Sequence, residues 1–80
     1  MADEIKYELV RTLGALGEGS KGWKKEVNII KWNDRPGKID IRSWAGEHGK
    51  MGKGVTLSKA ELKAFLELFK TLDIDTLEIE

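Results

Sequence analysis

The chain has 80 residues, of which 40% are hydrophobic and 35% are charged, and it contains no cysteine. This length fits one small domain that buries only ~60–65% of its unfolded surface, and the composition is typical of a globular protein. Without cysteine, disulfides and cysteine-ligated zinc are excluded, so we expect a tight core, oligomerisation or both. No apolar run reaches the ~18–20 residues of a membrane span, and the first residues are unlike a signal peptide. We therefore expect a soluble cytoplasmic protein with no membrane partner.

The charges cancel overall but are unevenly distributed along the chain. Residues 1–19 carry a net charge of −2, residues 20–56 carry +5 and residues 57–80 carry −3. All three tryptophans, Trp23, Trp32 and Trp44, lie in the basic middle segment. Solvated lysines explain most charge clusters of this size, but they explain the tryptophans less well, because a small domain normally keeps them in its core.

Alternation of apolar and polar residues predicts four strands, at residues 5–16, 23–32, 39–45 and 55–57. The glycine-rich residues 17–22 and 46–54 are predicted to be connections. Between the second and third strands, Pro36 and Gly37 occupy the positions that a type II turn requires, with a fixed φ followed by a positive φ. The last eight residues, 73–80, carry four acids and no base. They fit a helix extension, an edge strand or a loose tail equally well.

A helix is predicted over residues 59–72, where Ser58 and Glu61 form a capping box and Leu57 and Leu62 are placed for a hydrophobic staple. Its apolar residues cover an arc of roughly 160°, whereas packing on one sheet needs a stripe a little over 100° wide. The surplus suggests a second chain, although a broad stripe on the helix's own sheet fits the pattern as well. The small core favours a dimer.

Motifs for catalysis are weak. Residues 17–22 match the spacing G-x-G-x-x-G, but a strand follows instead of the helix that would hold a pyrophosphate. His48 is the single histidine, and no residue is nominated as its nucleophile or orienting partner. One histidine without cysteine also disfavours a zinc site. The sequence therefore predicts no enzyme, no cofactor, no metal and no small-molecule substrate.

Aromatic and basic residues share one face of the predicted sheet. If the hairpin places Ile29 opposite Ile41 and Val27 opposite Ser43, opposed residues share a face. The outer face then carries Lys24, Asn28, Trp32, Lys38, Arg42 and Trp44. Exposed tryptophans among cations stack on unpaired bases and neutralise phosphates, which predicts a single-stranded nucleic acid as ligand. In the alternative interpretation, Trp32 and Trp44 pack under a loop or under the acidic tail.

Two motifs carry a family resemblance: I-D-I-R-S-W at residues 39–44, and G-K-M-G-K-G-V-T-L-S at residues 49–58 before an amphipathic helix. In this order and spacing they resemble the positive cofactor four family of transcriptional coactivators. Residues 4–23 are similar to its short bacterial YdbC-like branch, and the resemblance spans about residues 4–70.

The resemblance implies an α+β fold, with a curved four-stranded antiparallel sheet followed by one C-terminal amphipathic helix, and a homodimer built partly through the helices. It also implies sequence-tolerant binding of single-stranded DNA, or RNA, in transcription, replication or repair on the nucleoid. Trp32 falls on a stacking aromatic of the family, Arg42 on its phosphate-contacting arginine, and Trp44 in its aromatic pair. Lys38 and Lys53 match basic positions of the family.

These arguments give a complete set of expectations. We expect a single domain at residues 1–72 and an acidic extension at residues 73–80. The candidate dimer interface is Leu62, Phe65, Leu66 and Phe69. The candidate nucleic-acid-binding residues are Lys21, Trp23, Lys24, Asn28, Trp32, Lys38, Arg42, Trp44 and Lys53. An interaction module that binds another protein through the broad apolar helix face is the alternative function.

Overall fold

A computed structural model of the protein describes residues 6–80. Four strands precede one helix: β1 (Tyr7–Glu18), β2 (Lys24–Trp32), β3 (Lys38–Ala45), β4 (Lys50–Leu57) and α1 (Lys59–Phe69). The strands form one antiparallel sheet in the order β1-β2-β3-β4. The predicted fold class, an α+β arrangement of four antiparallel strands and a C-terminal helix, is confirmed. The predicted start of the first strand, Ile5, lies outside the described residues.

The register between β2 and β3 differs from the predicted one by two residues. Ile29 lies opposite Ile39, and Val27 lies opposite Ile41, so the predicted pairing of Ile29 with Ile41 is wrong. Because side chains alternate with a period of two, a slip of two residues keeps every side chain on its predicted face. The side with the β-branched residues also receives the start of α1, since Leu62 and Ile29 line one cavity. We call this side the helix face.

The opposite side of the sheet is called the aromatic face. It carries every second residue of β2 and β3, namely Lys24, Glu26, Asn28, Ile30, Trp32, Lys38, Asp40, Arg42 and Trp44. This face, and not the helix face, holds the four most buried side chains, which are Ile30, Asn28, Asp40 and Trp44. Ile30, Trp44 and Ala45 are the buried apolar residues of the described chain, and Asn28 and Asp40 are buried with them.

Three irregularities shape the edge strand β1. Each inserts one extra residue opposite a regular stretch of β2, and the inserted residues are Val10, Leu13 and Leu16. The 12 residues of β1 thereby pair with the 9 residues of β2. Bulges bend a strand and increase its twist. They also bring Tyr7 directly opposite Trp32.

The turns depart from the sequence prediction. Asn33 and Asp34 have φ of 49° and 65°, and the N–H of Arg35 donates to the carbonyl of Trp32 at 2.9 Å. Two central residues with positive φ and this hydrogen bond are the features of a type I′ turn, which begins the five-residue connection 33–37 between β2 and β3. Gly37 is not among the residues with positive φ, so the predicted type II turn at Pro36 and Gly37 is wrong.

The glycine-rich residues 46–54 are mostly strand and not a connection, because β4 begins at Lys50. Glycine in a strand interior marks a close approach of another chain segment. A Cβ on Gly54 would collide with the Cβ of Arg42 and with the carbonyl of Ile41. The absent side chains therefore allow β4 to lie tightly against β3.

The start of α1 agrees with the prediction. Ser58 Oγ accepts from the N–H of Glu61 at 3.1 Å, and the N–H of Ser58 donates to Glu61 Oε1 at 2.9 Å. The hydrogen bond from the backbone N–H of Ser58 to the Glu61 carboxylate lowers the pKa of Glu61. The helix ends at Phe69, before the predicted Leu72. The acidic segment forms one turn of 3-10 helix at Ile74–Thr76, which is none of the three predicted alternatives.

Within residues 6–80, no helix is both long and apolar enough to cross a membrane.

Candidate nucleic-acid interface

A cleft opens on the aromatic face beside the turn between β2 and β3. It has a volume of 390 Å³ and is lined by Trp32, Arg35, Pro36, Lys38, Arg42, Met51 and Thr56. Three of these residues are cations, and apart from Thr56 the others are apolar or aromatic. The cleft therefore offers a flat ring and positive charge together.

Arg42 is held rigidly at the floor of this cleft. Its Nε donates to Asp40 Oδ2 at 2.6 Å and its Nη2 to Asp40 Oδ1 at 2.8 Å, while Nη1 donates to the carbonyl of Gly52 at 3.1 Å. Asp40 also accepts a hydrogen bond from Thr56 Oγ1 at 2.9 Å. A guanidinium has five N–H donors, so two of them remain for a ligand. The planar group is thus fixed before any phosphate arrives.

Aromatic rings continue from the cleft along the face. The Arg42 guanidinium carbon lies 5.0 Å from the centre of the Trp32 ring, a cation–π distance. The Tyr7 ring lies 5.6 Å from Trp32 and 5.9 Å from Trp44, and His48 meets the Trp44 ring edge-on at 5.1 Å. Tyr7 is 42% exposed and Trp32 half-buried, whereas Trp44 is 2% exposed. The predicted exposure of Trp44 is therefore wrong, because its ring is packed between Tyr7 and His48.

A second polar cluster lies farther along the aromatic face. His48 Nε2 and Glu26 Oε1 are 2.7 Å apart, and Asn28 Nδ2 donates to the same oxygen at 3.3 Å. Burial of Glu26 opposes its ionisation, but the hydrogen bonds from His48 and Asn28 and the charges of His48 and Lys24 outweigh it. Together they hold the pKa of Glu26 below its ordinary value of 4.5.

Several buried polar atoms of this face have no hydrogen-bond partner among residues 6–80. They are Asn28 Oδ1 and the indole nitrogens of Trp32 and Trp44. Native structures pair nearly all such atoms. All three lie on the aromatic face, and none of them is exposed to solvent.

The structure brings together only part of the predicted set. Trp32, Lys38 and Arg42 meet at the cleft, with Asn28 buried elsewhere on the same face. Lys24 lies near the far end of β2, where it forms a 3.9 Å ion pair with Glu18. Exposed pairs of this kind contribute little to stability.

Three predicted residues lie away from the cleft. Lys21, with φ of 59°, lies at the tip of the β1–β2 hairpin. The Trp23 ring lies against Gly52 and beside Ser43, which belongs to the helix face because it pairs with Lys25. Lys53 is exposed on the edge strand β4 and is not part of the cleft lining.

Sequence reasoning missed Tyr7 and Arg35. If β1 contained no bulges, the pairing of Glu18 with Lys24 would place Tyr7 opposite Arg35, beyond the end of β2. The three inserted residues of β1 move it opposite Trp32, and no sequence pattern announces them. Arg35 belongs to a turn, where strand alternation assigns no face.

The described residues contain no group of three or more histidine, aspartate or glutamate side chains arranged to hold a metal ion. Several polar side chains of this region instead form hydrogen bonds with one another, Arg42 with Asp40 and Glu26 with Asn28 and His48.

Comparison with known proteins identifies the family of this chain. Residues 19–68 match the family described as Transcriptional Coactivator p15 (PC4). An uncharacterized protein of Treponema pallidum (strain Nichols) is 44% identical over 73 residues, which cover 91% of this chain and 86% of that protein. The chain therefore belongs to the family of the transcriptional coactivator p15 (PC4), and it is in general terms a nucleic-acid-binding protein.

Proposed function

We propose that the aromatic face binds single-stranded DNA with little sequence preference. In this proposal unpaired bases stack on Trp32 and Tyr7, while Arg35, Lys38 and the two remaining donors of Arg42 contact phosphates. The observation that carries the proposal is the cleft itself, where a half-buried indole lies among three cations. Base stacking on an aromatic side chain contributes ~1–3 kcal/mol per base.

The proposed ligand is single-stranded because only unpaired bases expose their faces for stacking. A duplex keeps its base faces stacked inside the helix, so it offers phosphates to the cations but nothing to Trp32 or Tyr7. An unpaired strand offers both. Single-stranded RNA shares this chemistry, and it forms a second arm of the test. Trp44, which is packed between Tyr7 and His48, supports this surface from within.

The protein acts as a homodimer in this proposal, through an apolar surface on α1. No residue of the helix is fully buried, and Phe65, Leu66 and Phe69 are 42%, 60% and 41% exposed. The radius of gyration is 14.6 Å, against about 12 Å for a compact chain of this length. Exposed apolar patches of this kind mark interaction sites, and a second copy would cover this one.

The same helix surface favours a second candidate function, an interaction module that binds a different protein. An unpaired amphipathic helix is a common docking element. The two candidates differ in what covers Phe65, Leu66 and Phe69, so the oligomeric state separates them. In the proposed cellular role, the dimer serves transcription, replication or repair in the cytoplasm, on the nucleoid.

A fluorescence titration tests the proposed function. Equal concentrations of single-stranded DNA, single-stranded RNA and the corresponding duplex DNA are added at several salt concentrations. Stacking on Trp32 should quench its emission with the single strands, whereas the duplex should bind more weakly without comparable quenching. Equal affinity for duplex and single strand, or binding without any change in tryptophan emission, would contradict the stacking surface.

A further inference from the structure

Glu26 is a shielded carboxylate on a face proposed to bind phosphates. Its side chain is only 12% exposed, and its pKa is held below the ordinary value, so it is negatively charged at neutral pH. A negative charge here repels phosphate and weakens purely electrostatic binding. A carboxylate at this position therefore needs a function that offsets its repulsion of phosphate and that a neutral side chain would not perform.

The two oxygens of this carboxylate are in different situations. Oε1 accepts from Asn28 Nδ2 and lies 2.7 Å from His48 Nε2. An ionised carboxylate only accepts hydrogen bonds, so His48 Nε2 must carry the proton. Oε2 makes no hydrogen bond within residues 6–80, and it is not among their buried unpaired atoms. The carboxylate is thus anchored by one oxygen, while the other remains free to accept.

A cavity lies in front of this carboxylate. Its volume is 520 Å³, and its lining includes Lys24, Glu26, Trp44, Glu47 and His48. The His48 ring is 35% exposed and stands edge-on to Trp44. An imidazole offers a stacking surface, and Lys24, which is 53% exposed, offers a charge for the phosphate beside it. The cavity therefore has the parts of a nucleotide subsite, with an acceptor on its wall.

We propose that Glu26 Oε2 accepts a hydrogen bond from the exocyclic amino group of a base in this cavity. This single subsite then prefers amino-bearing bases over uracil or thymine, while the rest of the aromatic face discriminates little between bases. Cytosine and adenine present N–H donors on the edge that single strands leave open, and guanine presents two adjacent donors. Uracil and thymine present a carbonyl oxygen at the position of the cytosine amino group, where it would face the carboxylate. Their one donor on this edge, N3–H, lies between two carbonyl oxygens, so a carboxylate that approaches it is repelled on both sides. This inference rests on the proposed single-strand binding.

The contrasting role for Glu26 is purely structural. Glu47 and His48 both have positive φ, at 53° and 71°, and the contact between His48 and Glu26 fixes the turn that joins β3 to β4. A carboxylate with only that role would lower affinity for every oligonucleotide to the same extent. Base preference is thus the measurement that separates the two roles.

The experiment compares oligodeoxycytidine with oligodeoxyuridine of equal length, because these pyrimidines differ only at C4 and N3. We expect the wild-type protein to bind oligodeoxycytidine about five- to tenfold more tightly, as one good base contact provides. In Glu26→Gln the ratio should fall to about one or reverse, since the amide also donates to the uracil carbonyl. Glu67→Gln is the matched control, because it removes the same charge from an exposed position of α1, outside the cavity lining, and should keep the wild-type ratio.

Two outcomes overturn the inference. A wild-type ratio of one overturns it without any variant, so the test holds even if Glu26→Gln folds poorly. An equal gain in affinity for both oligonucleotides in Glu26→Gln, with the same ratio as in the wild type and in Glu67→Gln, assigns Glu26 the structural role alone. Either result leaves the proposed function standing, whereas failure of both oligonucleotides to bind the wild-type protein rejects both proposals.

Discussion

The guanidinium of Arg42 covers the ring of Trp32 at 5.0 Å while Asp40 holds it with two hydrogen bonds. Asp40 is completely buried, and removing one partner of a buried ion pair costs about 3–5 kcal/mol. Arg42 therefore has a structural role in addition to its proposed contact with phosphate. Substitution of Arg42 would change both the stability of the fold and the binding of phosphate. The binding surface is therefore tested with variants of other residues.

Trp32→Ala is the cleanest test of stacking. Its loss should weaken binding of an oligothymidine by about 1–3 kcal/mol, since one stacked base loses its platform. The dissociation constant is measured by fluorescence anisotropy of a labelled oligonucleotide, and circular dichroism confirms that the fold is kept. Trp23→Ala is the matched control, because Trp23 lies on the helix face and its loss should leave affinity unchanged. Equal effects of the two variants would reject the assignment of faces.

Lys38→Ala tests the phosphate contacts. Lys38 lines the cleft and is exposed, and no side chain of the described residues lies within ion-pair distance of it. Its removal should reduce the slope of log affinity against log salt concentration by about 0.7, which corresponds to one phosphate of a single strand. Lys63→Ala, an exposed lysine of α1, should leave the slope unchanged. The same slope in Lys38→Ala as in the wild type would remove Lys38 from the interface.

Gly54→Ala tests the close approach of β4 to β3. A Cβ on residue 54 would collide with Arg42, because it would lie 2.8 Å from the Cα of Arg42. The two strands must therefore move apart. We expect a loss of about 1–3 kcal/mol of unfolding free energy, measured by urea denaturation, because overpacking forces backbone shifts. In Gly14→Ala the new Cβ meets no atom within 4 Å. This control should be neutral or slightly stabilising, and equal losses in both variants would contradict the packing argument.

The sequence predicted the order of the elements and the faces of the central strands. Periods of two and 3.6 residues determine which side chains share a face, and the capping box at Ser58 locates the helix start. The shift of two residues between the predicted and observed pairing of Ile29 left those faces intact. Arg42 and Trp32 were thus correctly assigned to one surface.

The exposure of each side chain on that surface could not be predicted in the same way. Trp44 is buried because Tyr7 and His48 pack against its ring, and both contacts depend on features without a local sequence pattern. One is the set of three bulges in β1, which shifts Tyr7 by three residues. The other is a turn in which His48 adopts positive φ. A period of two residues assigns a face, but not the neighbours that cover it.

Leu66→Glu tests the proposed dimer. Leu66 is 60% exposed on α1, so in a monomer the substitution should change the unfolding free energy little. In a dimer built through α1 it places a charge in the interface. We expect the wild type to sediment as a dimer at micromolar concentration and Leu66→Glu to sediment as a monomer. The melting temperature of the wild type should also rise with protein concentration.

Lys63→Gln provides the control for the charge change, since it makes the same change of −1 at an exposed polar position of the same helix and should remain dimeric. A wild-type protein that sediments as a monomer, with a melting temperature independent of concentration, would contradict the proposed dimer. It would favour the interaction module, because the apolar surface of α1 would then be free for another protein.

The contact between Glu26 and His48 predicts a pH dependence of stability. Hydrogen bonds from His48 and Asn28 outweigh the burial of Glu26 and lower its pKa below 4.5 in the folded protein. The folded state therefore binds fewer protons than the unfolded state in this range, and stability decreases as pH falls. The contribution of ionised Glu26 is complete above pH 4.5 and is lost as pH falls through the folded-state value.

Thermal unfolding between pH 3 and pH 6 checks this dependence. Glu26→Gln cannot ionise at this position, so its melting temperature should lie below that of the wild type at pH 6, and the gap should narrow towards pH 3. Glu47→Gln, in which the altered side chain is exposed, should follow the wild type throughout. A gap between wild type and Glu26→Gln that stays constant across the range would mean that the ionised form of Glu26 adds nothing to stability, and that its contact with His48 acts through packing alone.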